Sequence, residues 1–479
     1  MSVAVVSLVV WLVLVFLSVT AGIERNWLTK LTSLYAPLRL SPTDEYYRSY
    51  YYRIDSYASK SNHTLKTIGE KAGALLSDPY VPSEDMELPL FWSAPEVDGQ
   101  NQLIDPVKIA LRELEALKGD FKHFAFQDYE ISGALLKLEL ERDGRTSYLT
   151  QMSYLLSLME ENPRFSALLL PPSEADRKRA GSYFATLKEG RIQLPEGPQT
   201  AVLLPKSYRD SGVLIGDQGM LSYTVPTAAV SQEQRIPIRV ASFYDPGLLS
   251  LGSRCLIVPN QVTRQIYASA QTYSPDGTPT NGVFIWPDRI SEVESLQKQI
   301  ADRFEKAGIG KYWKITSFEQ YEFSKDLLQQ FRSDRTLFSL IGAIILFVAC
   351  CNIISLLVLL VNDKKREIAI LQSMGASSRS IAAIFALCGT AMGLISCLIG
   401  SLLALFTLRH LDTLISLLSA LQGRTTFNPV FFGQNLPNEL SYEALLFVLI
   451  ATPLLSLFAA LIPAFKACRI QPTTVLRSE

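Results

Sequence analysis

Four stretches of this chain are almost purely apolar, and segments of ordinary polarity separate them. They run over 2–22, 337–362, 381–408 and 444–465. About 20 apolar residues in a helix cross a hydrocarbon layer of roughly 30 Å. Each stretch is therefore expected to be a transmembrane helix. Pro453 and Pro463 interrupt the last one, which a span tolerates when neighbouring groups satisfy the freed carbonyls.

Between the first and second spans the pattern changes to mixed α+β. Apolar residues recur at three- and four-residue spacing over 107–117 and 290–304, the signature of amphipathic helices. Strand-like runs occur at 200–204, 236–243, 255–258 and 282–286. Turn signals break them at Gly216-Asp217, Asp245-Pro246-Gly247 and Pro275-Asp276-Gly277. Residues 319–335 read as an amphipathic stalk helix with Leu327, Leu328 and Phe331 on one face, running straight into the second span. The tyrosines at 46, 47, 50, 51, 52 and 57 admit two readings, a partner surface or plain packing at an aromatic belt, and packing is favoured.

Charge in the short loops sets the orientation. The link 363–376 and the residues after it carry Lys364, Lys365, Arg366 and Arg379, and the tail 466–479 carries Lys466, Arg469 and Arg477. Basic short loops stay in the cytoplasm, so the loop 409–442 and the domain 23–335 both fall outside. The first span is read as a retained anchor, with a cleaved signal peptide as the competing reading. No positive charge precedes it, so a start lying inside a longer first span is a further reading.

Composition narrows the possibilities. Net charge is −1, which gives no basic field for nucleic acid. Of the six cysteines only Cys255 lies in the polar domain, so that domain cannot form an internal disulfide. Its stability must come from a core, and its length suggests two subdomains. Catalytic and metal-binding patterns are missing. His63, His123 and His410 are scattered, and no H-E-x-x-H, C-x-x-C or G-x-S-x-G occurs. Gly308-Ile309-Gly310-Lys311 resembles a fragment of a phosphate loop, but Tyr312 stands where Ser or Thr is needed. Asn62-His63-Thr64 is a chance sequon match. With no Asp, Glu, Lys or Arg inside the spans, no ion path is visible, and any energy must come from another subunit.

The link between the second and third spans has a pattern of its own. Asp363 can cap a short amphipathic helix, with Glu367 near its positive end. Ile368, Leu371 and Gly375 are expected on one face, with Ile370 and Met374 together on another. Gly375 suits a left-handed stop, and Ser377 or Ser378 can cap the next helix. In the third span, Gly389 and Gly393 form G-x-x-x-G, with Gly400 beyond, a spacing that lets helix backbones approach closely.

These residues resemble a known family. Arg366-Glu367-Ile368-Ala369-Ile370-Leu371 followed by Met374-Gly375-Ala376 resembles the coupling segment of type VII ABC permeases, the FtsX–MacB superfamily. The tail Pro463, Ala467, Pro472, Leu476, Arg477 fits the same pattern. Phe427-Asn428-Pro429, Leu436-Pro437, residues 212–221 with Pro226, and Arg235-Ile236-Pro237 resemble the lipoprotein-releasing permeases of the LolC/LolE type. The resemblance implies a non-catalytic transmembrane subunit in the bacterial inner membrane. It implies a separate cytoplasmic ABC ATPase dimer that holds ATP and magnesium, a second permease of the same or similar kind, a lipoprotein substrate and a periplasmic carrier. It also implies that Arg366 and Glu367 make polar contacts with the ATPase, while Ile370, Leu371, Met374, Gly375 and Ala376 pack in its groove. The expected carrier-docking hairpin, near 225–235, is short here. Related permeases for efflux or cell-envelope signalling, and a non-transporting anchor with a partner-binding ectodomain, are the alternatives. The expected fold is an α-helical membrane protein with four transmembrane helices plus a large α+β periplasmic domain of two subdomains.

Overall fold

The structure is a computed structural model. It describes residues 2–58, 60–61, 66–73, 80–89, 95–101, 103–120, 124–142, 144–163, 165–188, 191–226, 230–246, 252–269, 280–411, 413–414, 416, 420 and 440–468. His63, His123, the sequon, the Pro275 turn, the Phe427 and Leu436 motifs and the tail motif from Pro472 lie outside the described residues. The chain divides into two units, 29–326 and the remainder, 1–28 with 327–479.

The chain begins with helix α1 (Ser2–Leu34) and then builds the α+β unit. Strand β1 (Leu38–Pro42) leads to α2 (Asp44–Arg48), α3 (Tyr50–Tyr57), α4 (Ile68–Gly73) and α5 (Pro106–Asp120). A long hairpin follows, β2 (Phe124–Arg142) and β3 (Arg145–Ser157). Next come α6 (Glu174–Ala180), β4 (Thr186–Lys188), β5 (Arg191–Gln193), β6 (Thr200–Pro205) and α7 (Lys206–Asp210). After these come β7 (Gln218–Pro226), β8 (Ser231–Tyr244), β9 (Cys255–Val258), α8 (Asn260–Ser269), β10 (Asn281–Pro287), α9 (Val293–Lys306) and β11 (Trp313–Ser317).

Nine strands form one sheet in the order β11-β1-β10-β2-β3-β9-β6-β8-β7, and β7 also pairs with β2. The last six strands therefore close into a ring, which hides two edges that would otherwise be open. Strand β2 makes this possible by its length. Its start, Phe124 to Glu130, pairs with β10, and its later part, Leu135 to Glu139, pairs with β7 on the same side. Leu136, Leu138 and Leu140 point into the ring against Val202, Leu204, Val240 and Leu256. Lys137 and Glu139 alternate with them, the period-two pattern of a half-buried strand. The expected two subdomains are not separated, because β2 belongs to both halves of the sheet.

The turn signal Gly216-Asp217 has a physical basis. Gly216 sits at φ 92°, a backbone conformation that side chains disfavour. Asp217 is fully buried there, with Arg142 at 2.5 Å and Arg179 at 2.6 Å, and its carboxylate accepts from the Leu214 amide at 2.9 Å. The tyrosine cluster is packing. Tyr46 is buried, its ring 5.4 Å from Tyr47, 5.4 Å from Tyr52 and 5.7 Å from Trp313.

The other unit holds the apolar helices. The segments long and apolar enough to cross a membrane are Val3–Asn26, Ser324–Asp363, Arg379–Arg409 and Tyr442–Phe465. They lie in α1, α10 (Glu322–Asp363), α12 (Ser378–Arg409) and α13 (Tyr442–Cys468), and a short α11 (Lys365–Ser373) joins α10 to α12. The stalk starts at Glu322, later than expected, because Phe318–Gln320 form a separate 3-10 turn closed by a Ser317–Gln320 capping box. Val10, Leu14, Cys350, Leu357, Ala404, Val448 and Ala460 make the buried seam among the four helices. Polar groups tie it further: Trp11 Nε1 donates to Thr407 Oγ1 at 2.8 Å, and the Ser441 amide donates to Ser18 Oγ at 3.2 Å.

Candidate functional site

Helix α11 is short, so its geometry depends on how it is held. Only Lys364 separates it from α10, and the Ile368 amide reaches back to the Lys364 carbonyl at 3.0 Å. Asp363 is the last residue of α10 instead of the cap of a separate helix. At the other end Gly375 stands at φ 101°. The Ala376 amide then donates to the Leu371 carbonyl at 3.0 Å, a Schellman closure that requires the left-handed glycine. Ser377 opens α12 by accepting from the Ser380 amide at 3.1 Å. Two stops therefore bracket nine helical residues.

The two apolar faces of α11 have different fates. Ile368 and Ala369 are buried, and Ile368 packs with Val361, Ile381, Phe385 and Ala464. Burying an isoleucine contributes roughly 1.5–3 kcal/mol, enough to hold the short helix against the ends of three spans. Ile370, Leu371 and Met374 point the other way, 43%, 48% and 79% exposed. Leu371 is thus not on the Ile368 face as its spacing suggested; the inner side is formed by the adjacent pair Ile368 and Ala369. Arg366, Glu367 and Gly375 are exposed and Ala376 is half-buried. Lys364 pairs with Glu367 at 2.5 Å across an exposed surface, a contact of small energy. A chemically mixed patch results, with apolar tips beside both signs of charge.

The glycines of α12 sit at close approaches. A Cβ on Gly389 would overlap the Ala460 methyl of α13, and one on Gly393 would lie 2.8 Å from Ser456 Cβ. A Cβ on Gly400 would lie 2.6 Å from Val10 Cγ1 of α1. Each contact is too short for any larger residue, so glycine lets α12 pack against both neighbours at once. Near one end of the unit, Leu17, Thr20, Phe338 and Phe447 line a cavity of about 190 Å³. Arg335 and Glu443, paired at 2.8 Å, and Glu24 flank it. The pattern of unbroken hydrophobicity hid this cavity, because it lies where the spans end.

Comparison with known proteins gives this unit a context. Residues 339–472, from within α10 to past the end of α13, match the family model of the FtsX-like permease C-terminal domain. This stretch is an FtsX-like permease domain. The chain is also 37% identical over 145 residues to the lipoprotein-releasing system transmembrane protein LolE of Haemophilus influenzae, covering 30% of this chain and 35% of that protein. It is 28% identical over 197 residues to LolC of the same organism, covering 40% and 47% respectively. With LolC of Xylella fastidiosa it shares 23% identity over 306 residues, 64% of this chain and 69% of that one. The chain thus spans between a third and a half of the length of the two Haemophilus relatives it matches. Four apolar helices and a permease domain make it a multi-pass membrane protein. Helix α11 and the three glycines all fall inside the permease domain.

Proposed function

We propose that this chain is the transmembrane permease subunit of an ATP-driven complex that removes lipoproteins from the outer leaflet of a bacterial inner membrane. The observation that carries the proposal is α11. It is pinned on one face to the spans and presents Ile370, Leu371 and Met374 on the other. A permease of this kind needs such a helix to receive motion from a cytoplasmic ATPase dimer. Exposed apolar side chains beside Arg366 and Glu367 suit a groove with a polar rim. The basic residues around α11 favour its cytoplasmic side, which sets the α+β unit in the periplasm with its two sheet halves joined by β2. The relatives carry names of the lipoprotein-releasing system, and that supplies the substrate class.

On this reading the chain hydrolyses nothing itself. A second permease, the same or similar, completes the membrane part, and a periplasmic carrier takes the released lipoprotein; the β7–β8 hairpin, whose pairing ends at Pro226 and Ser231, is short for docking that carrier. The test is copurification. Glu367→Lys reverses an exposed charge without touching the buried face, so the protein should fold and insert while losing its ATPase. Retention of the ATPase together with full lipoprotein release would overturn the coupling role of α11.

A further inference from the structure

The polar side chains deep in the spans mostly face inward. Ser7, Ser18, Ser396, Thr452 and Ser456 are all buried between the helices. Asn352 of α10 is exposed, turned away from the bundle. The helix rises about 16 Å from Asn352 to its charged end at Asp363. That is half of a hydrocarbon layer roughly 30 Å thick, so the carboxamide lies near the midplane of the bilayer.

Lipid offers this group nothing. A carboxamide has two N–H donors and an acceptor oxygen. None of them has a hydrogen bond among the described residues. Hydrocarbon cannot supply one, and an unsatisfied polar group is costly there. The residues around Asn352 form a seam. Val348, Asn352, Ser355 and Leu359 are all exposed and follow one another at steps of four, three and four. Two supercoiled helices meet with that spacing. The Ser355 hydroxyl is spent on its own helix, donating to the Cys351 carbonyl at 3.0 Å. What it leaves on the seam is a small side chain, over which two backbones approach closely.

We propose that this face of α10 packs on the same face of a second copy of the chain, with Asn352 paired to the partner subunit's Asn352 across a two-fold axis. The carboxamide is self-complementary. Each Nδ2 donates to the other copy's Oδ1, so one contact serves both groups. The two helices then run parallel in a register that the asparagine fixes, because a slip of one turn breaks both hydrogen bonds. Other occupants suit the face less well. An acyl chain brings no polar group to that depth. A water-filled path does not fit the exposed Phe347, Val348 and Leu359 around the amide. The pairing deepens the second-permease part of the proposed function and rests on it for the existence of a partner.

The experiment uses the full chain in membranes, as two differently tagged copies with p-benzoylphenylalanine in place of Leu359, a large residue on the seam. Irradiation should give an adduct of twice the chain's mass that carries both tags. Adducts with lipid alone, or with a different protein alone, would overturn the pairing of copies. In mild detergent, energy transfer between labelled copies gives the Kd of self-association. Asn352→Leu should raise it about fivefold or more. That substitution leaves the buried contacts of the bundle in place, so the melting temperature should match the parent's. An unchanged Kd, or no self-association of the parent chain, would overturn the role of Asn352. Neither readout involves ATP or lipoprotein, so a failure of the lipoprotein-release reading would leave both as they are.

Discussion

Glu130 shows how one residue can be legible in type and hidden in role. It sits in a strand whose charged positions Lys137 and Glu139, further along, turn away from the core, yet it is only 5% exposed. Its carboxyl holds a proton up to about 7 in the folded chain, against a model-compound value of 4.5, chiefly because burial penalises the charge. Between those two values the folded state binds more protons than the unfolded chain. Stability must therefore fall as pH rises through that window and level off above it. The full shift corresponds to about 3 kcal/mol. Glu130→Gln, which cannot titrate, should show a flatter melting temperature from about pH 5 to 7 by scanning fluorimetry. A slope equal to the parent protein's would mean Glu130 stays ionised when buried. No pattern in the sequence marks this site. It is assembled from residues between 67 and 264, and local periodicity carries no information about such contacts.

At the scale of elements, α11 divides its energy and its surface between two faces, and substitutions can separate them. Ile368→Ala removes a buried side chain from the cluster with Val361, Ile381, Phe385 and Ala464. It should cost about 2–4 kcal/mol and lower the melting temperature of the chain. The pair Leu371→Ala and Met374→Ala trims exposed side chains, so the melting temperature should hold while ATPase association falls at least tenfold. Equal loss of stability in both proteins would mean the outer face is packed too. How much of these elements could be read in advance depends on what made them. Strand β9 falls on the expected run, and β6 and β10 extend theirs by a residue or two, because a short apolar run between turn signals needs no partner to be recognised. Strands β2 and β3 were not anticipated, although Leu136, Leu138 and Leu140 alternate with charge. The start of β2 breaks that alternation, since it lies in the other half of the sheet, paired with β10. The grouping of Ile370 with Met374 holds, but Ile368 parts from Leu371 and Gly375, because spacing orders residues around a helix but does not say which side meets the spans.

For the molecule as a whole, the α+β unit ties together the two chain segments that lead to α1 and α10. Strand β1, just after α1, pairs antiparallel with β11, just before α10, from Leu38↔Ser317 to Pro42↔Trp313. The Phe318 amide donates to the Pro37 carbonyl at 2.8 Å, and the Tyr321 hydroxyl donates to the Ala36 carbonyl at 2.8 Å. Arg39 stacks over the Tyr321 ring at 4.6 Å. A force carried by either helix therefore reaches both strands at once. If ATP closure moves such a permease through α10, this stitch is what makes α1 follow. Tyr321→Phe deletes one buried hydrogen bond and leaves the Ala36 carbonyl without it, at a cost of about 1–3 kcal/mol. The expected outcome is a complex that assembles and hydrolyses ATP at the parent rate but releases lipoprotein several-fold more slowly. Release assayed from proteoliposomes or spheroplasts, beside ATPase rate, separates the two. A parallel fall in both would place the defect in assembly, and parent-level release would show that the two segments work independently.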